Sequence, residues 1–430
     1  MTHRSVEVPV IARVEGEGAL HIRVEDHTIT DLRLEIYEPP RFFEAFLRGR
    51  RFAQVPDIVP RICGICPVAY QMSAIHGLER LFGVEVPEGT HELRRLFYCG
   101  EWIESHVLHV FLLAAPDFLA LPNAIEMAKT HPELVKTALG IKRIGNDLMA
   151  VIGGREIHPV SPRVGGFSKA PHRRDLEPFL PRLAWALERM PGIADFCASL
   201  PSPSLPRPAE MVSMVSEDEY PMNVGAMAST SGRRFDATTY EGVTREVHVE
   251  HSNALHSVMA DTGAPYLTGP LARVNLNAQH LTPVAREVAE RTGLSVPESD
   301  PFLSLAARLV ETTLAIEEAI RLIEAYAPPD PPSVPVEPRA GRATWTTEAP
   351  RGTLYHRYDV GEDGTIVEAK IVPPTSQNLR HMEEDLRAFL PGVLDSSDED
   401  LTRLCEMVVR NYDPCISCAT HFLRLDLERA

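Results

Sequence analysis

Arg61-Ile62-Cys63-Gly64-Ile65-Cys66-Pro67 near one end of the chain, and Asp413-Pro414-Cys415-Ile416-Ser417-Cys418-Ala419-Thr420-His421 near the other, hold two CxxC pairs. Scattered at random, seven cysteines would give about 0.1 pairs at this spacing, so two pairs are not an accident. A lone CxxC reads as a zinc knuckle or a redox dithiol. In zinc ribbons the knuckles lie roughly 15–20 residues apart, whereas here the second pair opens 349 residues after the first closes. A site made from both pairs therefore requires almost the whole chain to fold as one unit. Four thiolates gathered in this way form a soft site, suited to zinc, an iron-sulfur cluster or another late transition metal.

The rest of the composition agrees with an ordinary globular protein that keeps its thiols reduced. The chain has 430 residues, 44% hydrophobic and 24% charged, which excludes disorder and low-complexity architectures. Seven cysteines are an odd and sparse set, pointing to ligands or free thiols and not to a disulfide framework. Forty-three Lys and Arg against 60 Asp and Glu leave a net charge of −17, a field that repels phosphate backbones and argues against nucleic acid. The first residues, MTHRSVEVPVIARVEGEG, carry charges inside every apolar run and lack a secretory h-region or twin-arginine pair. With no apolar run near ~18 residues there is no membrane segment, and a cytoplasmic protein is expected.

Alternation from Val6 to Glu38, with turns at 16–18 and 26–27, predicts an antiparallel β meander. Helical periods follow at 92–120, 132–150, 175–199 and 384–391. The clearest helix starts at Ser299-Asp300-Pro301 and places Phe302, Leu305, Leu309, Ile316, Ile320 and Ile323 on one face. It ends at Ala327, before a proline-dense stretch reaching Pro338 that reads as a stiff connector. Thr344 to Thr347 and Gly352 to Val372 are β-rich, with a turn at 361–364. The expected class is α+β, mainly α: a long helix bundle with peripheral antiparallel segments, in one domain over 1–430. Its parts are a β segment at about 5–38, a helical core at about 40–327, a connector at 328–338, a β and C-terminal segment at 340–421, and a tail at 422–430.

The residues themselves resemble the large subunit of nickel-iron hydrogenases, whose signatures are an early RxCGxC and a late DPCxxC followed by His or Arg. Five ordered matches accompany them: Arg13-Val14-Glu15-Gly16, Arg41-Phe42-Phe43-Glu44, Gly154-Arg155-Glu156-Ile157-His158-Pro159, Glu348-Ala349-Pro350-Arg351-Gly352, and Ile371-Val372-Pro373-Pro374-Thr375. The resemblance spans nearly the entire chain and is closest to the cytosolic NAD(P)-linked and sulfhydrogenase types. One departure is Tyr70, where many members have His; a tyrosine hydroxyl can donate a hydrogen bond in its place.

The resemblance implies reversible heterolytic cleavage of H2 to protons and electrons. It implies nickel held by Cys63, Cys66, Cys415 and Cys418, with Cys66 and Cys418 shared with an iron that carries carbon monoxide and cyanide. Arg351, Thr375 and Pro350 would surround those diatomic ligands. Candidate bases are the terminal thiolate of Cys415 and the guanidine of Arg351, the latter a poor base because arginine stays charged. Glu15 would accept the proton next; on composition alone it reads equally well as a solvated strand carboxylate. Asp117 and Asp413 would form a canopy with Arg351, against the alternative that Asp117 is a surface acid at a helix end. Glu44, the carbonyl of Ile371 and His421 would bind magnesium. The other cysteines, Cys99, Cys197 and Cys405, read as structural thiols. With no third CxxC, the resemblance implies an iron-sulfur small subunit and flavin-containing NAD(P) reductase subunits as partners. Family members are commonly trimmed after the final His, so residues 422–430 are either an unprocessed extension or a retained tail. The alternatives are a metal-free hydrogenase-like subunit of a respiratory complex and a structural zinc protein.

Overall fold

The computed structural model describes residues 3–420, with side chains from Ser5 onward; His421 and the tail at 422–430 lie outside the described residues. Three strands, β1 (His3–Val8), β2 (Gly18–Glu25) and β3 (Thr28–Ile36), form the antiparallel meander that alternation predicts. Helix α1 (Pro67–Phe82) starts directly after Cys66, and every residue from Pro67 to Glu79 is buried. Burial on all faces explains why no amphipathic period marks this helix in the sequence.

Helix α2 (Glu88–Val107) crosses α3 (Pro132–Gly153) closely. The crossing needs glycine, because a Cβ on Gly145 would stand 2.6 Å from the carbonyl oxygen of Gly100. Beyond Val107 the helix continues as a π-helical stretch, Leu108–Ala114, and one last α turn, Ala115–Phe118. The helix expected at 175–199 is instead broken into Arg173–Leu176, Glu177–Phe179, Leu180–Leu187 and Met190–Ala198. Pro181 and Pro191 lack the N–H that a continuous helix needs, and each sits in the first turn of a new segment.

A two-stranded ribbon pairs β4 (Thr244–Val247) with β5 (His256–Met259). Helix α4 (Ser304–Ala325) follows Asp300, whose side chain accepts the Phe302 N–H at 3.0 Å. All residues from Ser304 to Ile316 are buried, so α4 is a central helix and not a surface helix with one apolar face. The connector over 328–338 runs extended against the 162–167 loop, where Phe167 donates to Pro332 and Val334 to Gly165.

Strands β6 (Gly341–Ala349), β7 (Gly352–Val360) and β8 (Ile366–Val372) form a second meander, and β6 and β7 pack on α1. Helix α5 (Pro374–Phe389) follows β8, so the period seen at 384–391 is only its second half. Helix α6 (Asp398–Asn411) leads to the second CxxC, whose last residues form the short helix α7 (Ile416–Ala419). The largest apolar cluster includes residues from Val6 to Ala419, so both chain ends enter one core. Among the described residues no helix is long and apolar enough to cross a membrane.

Candidate metal centre

The two CxxC turns face each other inside the protein. Cys63 and Cys415 bring their sulfurs to 3.6 Å, and the sulfurs of Cys63, Cys66 and Cys418 all lie within 4.8 Å of one another. Each of the four is at most 3% exposed. Thiolates bound at about 2.3 Å in a tetrahedral shell lie about 3.7 Å apart, so this cage already has the size of a single-ion site.

Several groups fix the cage. Arg41 donates through Nη2 to the carbonyl of Ile62 at 2.7 Å and also to that of Ser417, tying the residue before Cys63 to the residue before Cys418. Its own N–H donates to the Thr420 carbonyl at 2.6 Å. Glu101, buried on α2, accepts from the N–H groups of Val68 and Ala69 at 2.6 and 3.2 Å, occupying the start of α1 where helical donors have no partner of their own. Neither role is visible in the sequence, although the Cys66-Pro67 step marks a helix start that must be satisfied by something.

Glu15 enters from the N-terminal segment. The backbone N–H of Ile416 donates to its carbonyl at 2.8 Å, forming a parallel bridge between Glu15 and Cys415. Its carboxylate Oε2 accepts from Cys415 Sγ at 3.0 Å and from the Ser417 N–H at 3.1 Å. The approach depends on Gly16, at φ 91°, where a Cβ would meet the Ile416 Cβ at 2.7 Å. Glu15 is half-buried, and so reaches both the cage and its outer edge. It is not a free strand carboxylate.

Arg351 leaves the β6–β7 turn and is locked to Asp413: Nε donates to the Asp413 carbonyl at 2.8 Å and Nη2 to Oδ1 at 3.1 Å. Nη1 lies 4.0 Å from Cys66 Sγ. Burial would discharge this guanidinium, but Asp413 and the cysteine thiolates outweigh it and hold the group firmly protonated. Burial, opposed by the same arginine, pushes Asp413 up. The segment before Arg351 is set by Arg273, which donates to the carbonyls of Ala349 and Pro350 at 2.9 Å and forms ion pairs with Glu311 and Glu348. The Thr375 hydroxyl accepts the Cys415 N–H at 2.9 Å, leaving its own proton available to the cage.

Asp117 does not join Arg351 in the described contacts. It pairs with Arg410, at 2.6 and 2.8 Å, and with Arg13. Of the three residues expected to form a canopy, the structure brings Arg351 and Asp413 together, while Asp117 anchors the segments that precede Glu15 and Asp413. At 1% exposure Asp117 is no surface acid either. Glu44 accepts from the N–H of Ile371 at 2.7 Å, and burial pushes its carboxyl up to about 7. His421, the third member of that expected magnesium set, lies outside the described residues.

The four thiols differ in acidity. Burial is the largest influence on all of them, and it pushes Cys66, Cys415 and Cys418 up. Cys63 goes down, because hydrogen bonds from Cys415, Cys418 and Cys66, aided by Arg351, outweigh its burial. The Tyr70 hydroxyl is buried beside these sulfurs with no hydrogen-bond partner, and burial together with Cys418 disfavours its ionisation. Cys99 and Cys405 are buried in α2 and α6, and burial raises both thiols, Cys405 to about 12. Cys197 is partly exposed at the end of its short helix.

Residues 41–138 match the nickel-dependent hydrogenase family. The chain is 35% identical over 424 residues to sulfhydrogenase 1 subunit alpha of Pyrococcus furiosus, covering 98% of each. It is 26% identical over 471 residues to the HoxS subunit beta of the NAD-reducing hydrogenase of Cupriavidus necator, covering 98% of this chain and 95% of that one. Its fold superposes on the crystal structure of an NAD+-reducing [NiFe]-hydrogenase in the H2-reduced state with a TM-score of 0.85 and 28% identity, covering 97% and 99% of the two chains.

Proposed function

The chain belongs to the nickel-dependent hydrogenases as a catalytic large subunit, and from that premise we propose that Cys63, Cys66, Cys415 and Cys418 hold the nickel. Cys66 and Cys418 would share their sulfurs with an iron carrying carbon monoxide and cyanide. The single observation that carries this reading is the 3.6 Å approach of Cys63 to Cys415 inside a buried four-sulfur cage. Such a donor set suits a late transition metal and gives the metal-free reading no support. When bound, the metal pair supplies the heterolytic cleavage of H2.

The protein's own groups then handle charge. Of the two candidate bases, Arg351 is held protonated by Asp413, which suits a hydrogen-bond donor to cyanide and not a proton acceptor. Cys415 is the better acceptor, since its sulfur already shares a hydrogen bond with Glu15 Oε2 at 3.0 Å. Glu15 receives the proton there and passes it outward from its half-buried position. Thr375 and the Pro350 segment line the side facing the diatomic ligands, with Arg273 keeping that segment in place. Glu44, Ile371 and His421 would hold magnesium, which favours the charged form of a carboxylate that burial otherwise neutralises.

The chain has no third CxxC, so electrons leave through a partner; an iron-sulfur small subunit meets that need. The names of a sulfhydrogenase and an NAD-reducing hydrogenase among the relatives support NAD(P) or sulfur as the eventual acceptor, and flavin-containing reductase subunits and a cytoplasmic location complete the proposal. The test is metal analysis with infrared spectroscopy of the purified complex. Nickel and iron in equal amounts, with carbonyl and cyanide stretching bands, are expected; zinc alone, or no metal, would overturn the assignment.

A further inference from the structure

A second cluster of metal-ligating side chains lies where strand β5, the loop before it and helix α5 meet. His251 Nε2 and Glu383 Oε1 are 2.7 Å apart, and Oε1 also accepts the N–H of Leu34 from β3 at 3.1 Å. His256 completes the group, its ring centroid 5.8 Å from that of His251 and the two rings nearly perpendicular. The ligand atoms of His251, His256 and Glu383 all fall within 4.8 Å of one another.

The hydrogen bond between His251 and Glu383 accounts for only part of this cluster. Both ring nitrogens of His256 are buried without a hydrogen-bond partner, as is Glu383 Oε2. The residues themselves are 0% exposed. Buried polar groups are nearly always satisfied, so an unpartnered His256 nitrogen and Glu383 Oε2 beside His251 call for an occupant. The nearest charges to Oε2 are the guanidinium groups of Arg380 and Arg387 at 3.8 and 3.9 Å, too distant to hydrogen-bond.

We propose that His251, His256 and Glu383 form a second metal site, separate from the cysteine cage, for a divalent first-row transition ion of the zinc class. Two imidazoles and one carboxylate are a common three-ligand set for such ions, whereas magnesium and calcium favour all-oxygen shells. The Leu34 N–H fixes the carboxylate from behind, in the manner of an outer-shell partner. His251 also borders an open cleft of about 550 Å³ whose charged lining is Glu35, Glu250 and Arg33, and this gives a cation a route in. Binding releases to solvent the proton held between His251 and Glu383, and it ties the 248–255 loop to α5 and β3.

The full-length protein is titrated with cobalt(II) and with zinc chloride, and metal content is measured after gel filtration. Cobalt in this site shows visible d–d bands without thiolate charge transfer, which separates it from cobalt in the cysteine cage whether or not that cage holds nickel. One zinc or cobalt equivalent of this kind is expected. His256→Asn and His251→Asn should each weaken it at least about 100-fold. Absence of the thiolate-free cobalt signal in the native protein, or its persistence in both variants, overturns the proposal. His251 is partly exposed, so its variant keeps the test decisive if His256→Asn fails to fold.

Discussion

Glu15 and Cys415, 400 positions apart in the chain, are joined twice: the Cys415 sulfur donates to the Glu15 carboxylate at 3.0 Å, and their backbones pair as a parallel bridge. The acid is thus fixed by main-chain geometry as well as by its side chain. A proton leaving the sulfur needs no rearrangement to find it.

Replacing Glu15 with glutamine keeps the shape and removes the acceptor. H2 oxidation should fall by roughly 10²–10⁴-fold, the usual range for a lost acid-base group, while nickel and iron content stay unchanged. Turnover within a factor of two of the native protein would remove Glu15 from the proton path.

Cys415→Ser should abolish H2 turnover and lower nickel content, because it opens the cage at its 3.6 Å contact with Cys63. Cys197→Ser, at the partly exposed end of a short helix, should leave both largely intact. Equal loss in the two variants would contradict the division of the cysteines into ligands and structural thiols.

Tyr70→Phe removes a buried hydroxyl that has no hydrogen-bond partner among the described residues, so stability should hold or rise slightly. If that hydroxyl donates to a shared sulfur in the loaded centre, the sulfur of the variant pushes more electron density onto iron. The carbonyl stretching band should then move to lower wavenumber, read by infrared spectroscopy; an unmoved band would exclude the hydrogen bond.

Arg273→Leu leaves Glu311 and Glu348 buried without their counter-charge. Loss of one partner from such a network costs about 3–5 kcal/mol, to be measured by denaturant unfolding. It should also loosen the Ala349-Pro350 segment and so disturb the cyanide bands.

Glu104 supplies a pH test of stability. Burial raises its carboxyl to about 7 despite the ion pair with Lys142 at 3.2 Å. The folded state therefore holds this proton more tightly than the unfolded chain does. Its contribution is complete below about pH 4.5 and is lost as pH rises through 7. Glu104→Gln should flatten the fall in stability across that window, by on the order of 1–3 kcal/mol, in unfolding curves taken at pH 5 and pH 8.

The cysteine cage was legible in the sequence because its chemistry resides in residue identity and spacing, and Glu15 only because Arg13-Val14-Glu15-Gly16 resembles an early segment of the family. The first β meander was legible because alternate residues of β2 and β3 are buried, whereas the second, buried on both faces over much of β6 and β7, was marked by its β-rich composition and the turn at 361–364. Helix α1 was not, since thirteen consecutive buried residues show no contrast between faces. The breaks at Pro181 and Pro191 were marked by the prolines, yet the apolar spacing across them imitates one long helix. Pairings such as Asp117 with Arg410, 293 positions apart, leave no trace in either local sequence. The same holds for Arg41, which donates to the carbonyls of Ile62 and Ser417, and for the two carbonyl contacts of Arg273, because any residue can provide a carbonyl.

The contact between Cys63 and Cys415 spans 352 positions. A metal bound by both acts as a cross-link closing a loop of nearly the whole chain, and in the chain-entropy account such a closure stabilises by about 6 kcal/mol through the unfolded state alone. The centre is then a staple as well as a catalyst, and the loaded protein should melt well above the same chain stripped of its metals.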